Sequence, residues 1–441
     1  MAKKYLIETF GCQMNFHDSE RMEGLLEEAG YELTDDDTEA DVLVINTCSV
    51  RERAQEKLFS RLGRVEKNRT DSKEERPIVV VAGCVAQQEG SRLVQRAPIV
   101  DIVIGTQATK RLPVLIEQAN LNWQTQIDVE LYEDVSFPFG LVKRNDPVKA
   151  YVTIIEGCND FCSFCVVPYT RGRERMRPVK EILAEIKEAT ETGRKEIHLL
   201  GQIVNHYQAP DVEMCNFSKL LELVHKIDGV ERIRFSSPHP RHVTPDLISV
   251  IRDLPKICNH LHLPVQSGSN EVLTRMRRRY TRETYLDLIQ RLREEVPGIG
   301  LSTDMIVGFP GENEKNFDET LSLINAAQYQ SMFSFKYSQR PNTLAAKKMN
   351  DDVPEAEKTR RITTLQMQQR KIQSSLNEEM LGASVSVLVD SKSRRNPEEL
   401  SGRTETNTVV NLPGKPNWIG RTLTVKVERS GPNSLWGQVV D

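Results

Sequence analysis

Three cysteines in the run Glu156-Gly157-Cys158-Asn159-Asp160-Phe161-Cys162-Ser163-Phe164-Cys165 stand at C-x3-C-x2-C spacing. Four-iron clusters usually take four thiolates, so three closely spaced ones imply a cluster whose fourth iron is left open for an exchangeable ligand. Zinc, or three small buried thiols, is the competing reading. Zinc, however, calls for a C-x2-C knuckle paired with a second such pair or two histidines, and none stands at that spacing. His239, His242, His260 and His262 are read as satisfied polar residues, not ligands.

Three further cysteines, Cys12, Cys48 and Cys84, are separated by 36 and again by 36 residues. Each follows a short β-branched run that reads as a buried parallel strand: Tyr5 to Thr9, Val42 to Asn46 and Ile78 to Ala82, with a fourth strand at Ile99 to Ile104. Helices are expected near Ser19 to Ala29 and Arg51 to Lys67. In an open doubly wound sheet all carboxyl ends lie on one edge, so the three thiols converge there, implying a second four-iron cluster with an open iron. Gly11 and Gly83 allow tight backbone turns beside it. Cys215 and Cys258 fall outside both sets and read as buried free thiols.

The elements that must position these residues exceed one domain: 441 residues suggest two to four. The divisions expected are a sheet domain over 1–120, a linker over 121–147 containing Ser136-Phe137-Pro138-Phe139-Gly140, a central domain over 148–377 and a small domain over 378–441. Eight cysteines in a chain with no export signal point to metal or redox chemistry instead of disulfides. No run approaches the roughly 20 apolar residues of a membrane span, and a cytoplasmic protein is expected. A net charge of −4 does not advertise a nucleic-acid binder, although local basic clusters still serve.

In the central domain, strands are expected at Tyr151 to Ile155, Glu196 to Leu200, Arg232 to Ser236, His260 to Leu263, Ser302 to Val307 and Met332 to Tyr337, giving an α/β partial (β/α)6 barrel. The C-x3-C-x2-C loop follows the first of them. Gly201, Gln202, Ser236, Gln266, Ser302, Gly308 and Glu312 lie near strand ends and suit a nucleoside ligand. Arg171, Arg173, Arg175 and Arg177 alternate directly after the cysteine loop and are candidate phosphate contacts. Arg275-Met276-Arg277-Arg278-Arg279 is a weaker second run, for which a solvated surface is the alternative. After helical residues Pro354 to Leu381, capped by Gly382, strands at Ala383 to Asp390, Thr408 to Asn411, Arg421 to Glu428 and Ser434 to Val440 suggest a small antiparallel barrel.

The cysteine loop, with Phe164 before its last cysteine, closely resembles that of radical S-adenosylmethionine enzymes. Three strings extend the resemblance over nearly the whole chain: Thr9-Phe10-Gly11-Cys12-Gln13-Met14-Asn15, Cys158 through Glu174, and His262-Leu263-Pro264-Val265-Gln266-Ser267-Gly268-Ser269. Together with the segment from Ser302 to Glu312, they resemble the methylthiotransferase family, in which a cysteine-trio sheet domain precedes a radical barrel and a TRAM-type barrel. Ile203 and Asn313 depart from the expected pattern, where asparagine and threonine are usual.

The resemblance implies two [4Fe-4S] clusters and S-adenosylmethionine, and an external electron donor feeding a monomer. The Cys158/Cys162/Cys165 cluster would cleave S-adenosylmethionine, and the Cys12/Cys48/Cys84 cluster would carry sulfur. The implied target is C2 of an N6-isopentenyladenosine beside the anticodon, presented in a tRNA stem-loop. Adenine C2–H offers too little acidity for a general base, so a radical meets the chemical need. Rivals are threonylcarbamoyl-adenosine, a ribosomal-protein aspartate, or a non-enzymatic cluster scaffold or electron carrier.

Overall fold

The computed structural model describes residues 2–49, 52–69, 76–122, 124–132 and 140–440. Six parallel strands form the first sheet: β1 (Lys4–Phe10), β2 (Glu32–Leu33), β3 (Val42–Thr47), β4 (Ile78–Ala82), β5 (Ile102–Ile104) and β6 (Gln126–Asp128), in the order β2-β1-β3-β4-β5-β6. Their apolar runs are continuous because helices cover both faces. Val42, Val44, Val80, Ala82, Ile102 and Ile104 pack with Met22 and Leu26 on one side; Leu43, Ile45, Val79, Val81 and Val103 pack with Leu58 and Leu62 on the other. The strand order reverses direction between β1 and β3, and the crevice beyond the carboxyl ends at such a reversal is where open α/β sheets bind ligands.

Two expectations change here. Helix α1 (Gln13–Glu28) begins directly after Cys12, well before Ser19. Its polar first turns are buried against the central domain, so tertiary contact overrides weak local propensity. The segment expected to be a featureless linker contributes β6 as an edge strand paired with β5. Ser136 to Phe139 of that segment, and Arg51 of the expected second helix, lie outside the described residues; helix α2 runs Glu52–Arg69.

The central domain supplies β7 (Lys149–Thr153), β8 (Ile155–Glu156), β9 (Arg175–Met176), β10 (Glu196–Leu200), β11 (Arg232–Phe235), β12 (His260–His262), β13 (Gly300–Val307) and β14 (Ser331–Lys336). Parallel sheets β7-β10-β11 and β12-β13-β14 are joined by a parallel bridge between Ile233 and Ile257, giving the six-stranded partial barrel around one apolar core. The β8–β9 ribbon is antiparallel and brackets the cysteine loop.

The last domain is a closed barrel of β15 (Ser384–Lys392), β16 (Glu399–Thr404), β17 (Val409–Pro413), β18 (Thr422–Ser430) and β19 (Leu435–Val439). The β17–β19 pair that closes it is parallel, so the barrel is not antiparallel throughout. It docks on the amino ends of the central strands. Arg232 donates to the carbonyl of Arg403 at 2.6 Å, Arg234 to that of Thr404 at 2.7 Å, and Lys149 pairs with Asp390 at 2.6 Å. Among the described residues no helix is long and apolar enough to cross a membrane.

Candidate functional site

Each thiol of the first trio sits at a carboxyl end of the first sheet. Cys12 follows β1 as the residue preceding α1, Cys48 follows β3, with its amide bonded to the carbonyl of Phe10 at 3.0 Å, and Cys84 follows β4 and opens helix α3 (Cys84–Glu89). Asn15 ties the group together. Its Oδ1 lies 3.3 Å from both the Cys12 amide and the Cys12 Sγ, and its Nδ2 donates to Asn46 Oδ1 at 3.1 Å. Gly83 holds φ +89°, and a Cβ there would stand 2.3 Å from Asn46 Oδ1, so only glycine lets β4 turn this closely beneath the trio.

The trio is electrostatically prepared for anionic sulfur. A hydrogen bond from Cys48 pulls the Cys12 thiol down to about 6, with the Arg171 charge helping and burial opposing. Burial pushes Cys84 up, against a hydrogen bond and charge from Arg171. The hydroxyls of Thr47 and Ser49, on either side of Cys48, are buried and find no partner among the described residues. Three free thiols at the carboxyl ends of adjacent strands, with a buried guanidinium in their field, fit a thiolate-held cluster.

The second trio lies in the β8–β9 loop, which is stapled at several points. The Cys158 amide bonds to the carbonyl of Gly172 at 3.2 Å, Cys165 N to Cys162 O at 3.0 Å, and Ser163 N to Met276 O at 3.1 Å. Burial pushes Cys158 and Cys165 up to about 12. Arg278 donates to Cys162 Sγ at 3.5 Å and to the carbonyl of Pro264 at 2.9 Å. Among the described residues no three His, Cys, Asp or Glu side chains are drawn around a single ion.

Helix α1 joins the two domains through buried polar contacts. Glu185 accepts from Arg177 at 2.7 Å, Arg144 at 3.0 Å and His17 Nε2 at 3.2 Å. Burial, with Arg21 adding, pushes His17 down to about 3, so the neutral ring donates from Nε2 to Glu185 and accepts the Thr153 hydroxyl at Nδ1, 2.8 Å away. Arg21 pairs with Glu156 at 3.1 Å.

The four arginines proposed as phosphate contacts are largely spent elsewhere. Arg171 is buried, pairs with Asp18 at 2.5 Å and reaches Cys12 and Cys84; Arg177 is buried on Glu185. Arg175 pairs with Glu156 at 3.2 Å, leaving Arg173 as the exposed member. A charged residue enters the interior only with partners, and Asp18, Glu156 and Glu185 supply them to Arg171, Arg175 and Arg177. The second run likewise sends Arg278 inward and leaves Arg277 and Arg279 exposed.

Among the nucleoside candidates, Gly201, Gln202, Ser236 and Gln266 lie at or beyond the carboxyl ends of β10, β11 and β12. Gln202 lies across the domain seam, its Nε2 2.6 Å from Met14 Sδ and its Oε1 unpartnered among the described residues. Ser302 does not reach the rim: it sits in the first half of β13, bonded to His262 at 2.9 Å and His260 at 3.0 Å. Glu312 is buried between the Gly308 amide at 2.8 Å and Arg361 at 2.8 Å, so both rim residues close their own loop. Asn15, Thr47 and Ser49 are not singled out by the sequence, and Arg278 enters there only as one member of the weaker basic run. Only their proximity to a cysteine in the chain, for three of the four, offered a signal. Asn313, one of the departures, caps the helix Glu314–Ala327 by accepting from Asn316 N at 3.0 Å, as threonine would.

A cysteine trio on a flavodoxin-like sheet, a second in the first loop of a six-stranded partial barrel, and a closed terminal barrel together define a radical S-adenosylmethionine enzyme with an accessory domain. Residues 152–324 match the Radical SAM superfamily, 378–440 the TRAM domain, and 4–105 the family described as "Uncharacterized protein family UPF0004". The tRNA-2-methylthio-N(6)-dimethylallyladenosine synthase of Nitrosospira multiformis is 45% identical over 446 residues, covering 100% of this chain and 94% of the relative. That of Neisseria meningitidis serogroup C is 45% identical over 445 residues, covering 100% of both. The chain belongs to this family. In fold it is similar to the radical S-adenosylmethionine methyltransferase TsrM from Kitasatospora setae, with a TM-score of 0.56 at 14% identity over 88% of this chain and 81% of that one.

Proposed function

We propose that this chain places a methylthio group on C2 of N6-dimethylallyladenosine beside the anticodon of tRNA, working in the cytoplasm as a monomer fed by an external electron donor. Full-length identity to synthases of that name supports the substrate. The observation that carries the two-centre reading is Arg171. Its neighbour Gly172 accepts the Cys158 amide at 3.2 Å, while its own buried guanidinium pairs with Asp18, on the helix that opens directly after Cys12, and lies in the field of Cys12 and Cys84.

Cys158, Cys162 and Cys165 would hold one four-iron cluster and Cys12, Cys48 and Cys84 a second. When bound with S-adenosylmethionine, these groups supply one-electron hydrogen abstraction and sulfur. The chain's own residues set register and access. The β8–β9 staples fix the loop, α1 fixes the sheet domain against β7, and the exposed rings of Phe161 and Tyr169, 6.2 Å apart beside the loop, offer a face on which an unstacked base can lie. The TRAM barrel docks at the opposite end of the central strands. An RNA touching both must run along the barrel's flank, about 16 Å for a five-residue strand.

The test compares Cys158→Ala with Cys12→Ala in anaerobically reconstituted enzyme given a dimethylallyladenosine stem-loop. Cys158→Ala is expected to abolish deoxyadenosine release; Cys12→Ala is expected to release some but yield no methylthio product by mass spectrometry. Normal product from Cys12→Ala ends the sulfur-donor assignment. Turnover only of a threonylcarbamoyl-adenosine stem-loop ends the substrate assignment.

A further inference from the structure

Both basic runs send one arginine to a cysteine trio. Arg278 is buried and donates to Cys162 Sγ at 3.5 Å. Arg171 is buried, crosses the domain boundary to meet Asp18 on the helix that opens directly after Cys12, and lies within the field of Cys84 and Cys12. Their surroundings differ. Arg278 otherwise meets neutral groups, the carbonyl of Pro264 and the hydroxyl of Tyr280, 2.9 Å from each. Arg171 is held from behind by the Asp18 carboxylate at 2.5 Å, itself buried.

We propose that Arg171 and Asp18 form a charge pair that sets the reduction potential of the cluster held by Cys12, Cys48 and Cys84, with Arg171 raising it and Asp18 lowering it. This rests on the two-cluster reading above. Cluster potentials respond to net charge and to solvent exclusion, and both are present at Arg171. Reduction adds one electron, and therefore one negative charge, to the cluster. A buried guanidinium in the field of two of its thiolates favours that reduced form, and a carboxylate behind it opposes. Because Arg171 lies six residues beyond Cys165, the loop that holds one cluster also carries the residue that tunes the other. That makes Arg171 a positioning residue for electron distribution between the centres.

The experiment is a potentiometric titration of the reconstituted full-length protein, followed by electron paramagnetic resonance, on wild type, Arg171→Gln, Arg171→Lys and Asp18→Asn, with iron content measured on each. Arg171→Gln is expected to move the midpoint of the Cys12/Cys48/Cys84 cluster negative. Asp18→Asn should move it positive, and Arg171→Lys should move it negative by less than Arg171→Gln. The other cluster's midpoint should move by less in all three, and move negative most in Arg278→Gln. A structural role alone would lower iron content without shifts of opposite sign. Unmoved midpoints, or the same sign for Arg171→Gln and Asp18→Asn, overturn the proposal. Should Arg171→Gln fail to hold iron, the sign of Asp18→Asn and the smaller shift of Arg171→Lys still decide it. Wild-type protein holding about four irons instead of about eight removes the two-cluster reading itself, a result distinct from unmoved midpoints.

Discussion

The two cysteine trios are built by opposite means. Cys158, Cys162 and Cys165 come from one short loop, fixed by backbone clamps to Gly172 and Met276. Cys12, Cys48 and Cys84 come from three strands and meet only because β1, β3 and β4 are adjacent in one parallel sheet. The loop carries its geometry locally, whereas the strand trio depends on the register of a whole domain. Their thiols differ too: Cys12 is drawn down to about 6 by its bond with Cys48, while burial holds Cys158 and Cys165 up near about 12. In the strand trio Cys12 is poised as a thiolate while buried Cys84 must still give up its proton; in the loop trio both Cys158 and Cys165 must do so as they bind metal.

The sharpest way to break this contrast is to disturb each trio at its glycine. Gly83→Ala places a Cβ 2.3 Å from Asn46 Oδ1 and 2.9 Å from the carbonyl of Thr47, at φ +89°. Gly157→Ala places one 2.1 Å from the carbonyl of Arg173 and 2.7 Å from that of Gly172, at φ +80°. Each is expected to lose one cluster, taking iron from about eight to about four per chain. Gly83→Ala should keep S-adenosylmethionine cleavage and Gly157→Ala should lose it. If Gly83→Ala empties both sites, the trios are not separately held.

Next in size is the joint between them. Removing Glu185 leaves Arg144 and Arg177 buried without their shared carboxylate, and breaking a buried pair this way costs about 3–5 kcal/mol. Urea unfolding of Glu185→Ala should lose stability in that range. A loss below 1 kcal/mol means that the domains are held by other contacts. Smaller still is Asn46→Ala, which orphans Asn15 Nδ2 and removes bonds to Asn15 O at 2.8 Å and Ser19 Oγ at 3.0 Å, for about 1–3 kcal/mol. Its signature should be faster iron loss from the Cys12/Cys48/Cys84 site, with the other cluster unaffected.

The same contrast governs what could be read from the chain. The loop trio is legible because its spacing is its geometry. The strand trio was legible through the alternation of apolar runs, since a thiol after each of three parallel strands must reach one edge. Arg171 was misread as an RNA contact: its sequence neighbourhood is basic, and the partner that draws it inward, Asp18, lies in another domain. The start of α1 was missed for the same reason. Gln13 to Ser19 carry little helical signal, and the burial that stabilises those turns comes from the central domain. Ser302 is read as a rim residue from the sequence because a strand's sequence says little about which of its residues reach past its end. Strand β16 escaped because Glu399 to Thr404, with charges at both Glu399 and Arg403 and a glycine between them, lacks the apolar alternation expected of a strand.

The smallest effect tests whether the joint stays neutral where it should. His17 is pushed down to about 3 by burial, with Arg21 and Arg144 adding and Glu185 opposing, whereas a histidine in the unfolded chain titrates near 6.5. As pH falls below about 6.5 the unfolded chain takes up this proton and the folded protein does not. The stability tied to His17 is therefore full above about 6.5 and is lost progressively toward about 3. Glu185 is also held well below its ordinary value, burial being outweighed by Arg177 and His17, so it acts in the same direction but only from about 4.5 downward. His198, His239, His242 and His260 are depressed as well, which makes the informative quantity a difference between two proteins. His17→Gln keeps a donor and an acceptor in the same space without a titrating ring. It should cost about 1 kcal/mol at pH 7.5 and flatten the fall in stability between pH 6.5 and 4.5 by up to about 1.4 kcal/mol per pH unit relative to wild type. Parallel curves for the two proteins mean that water reaches the seam beneath α1, and then the rigid bridge assumed between the trios does not exist.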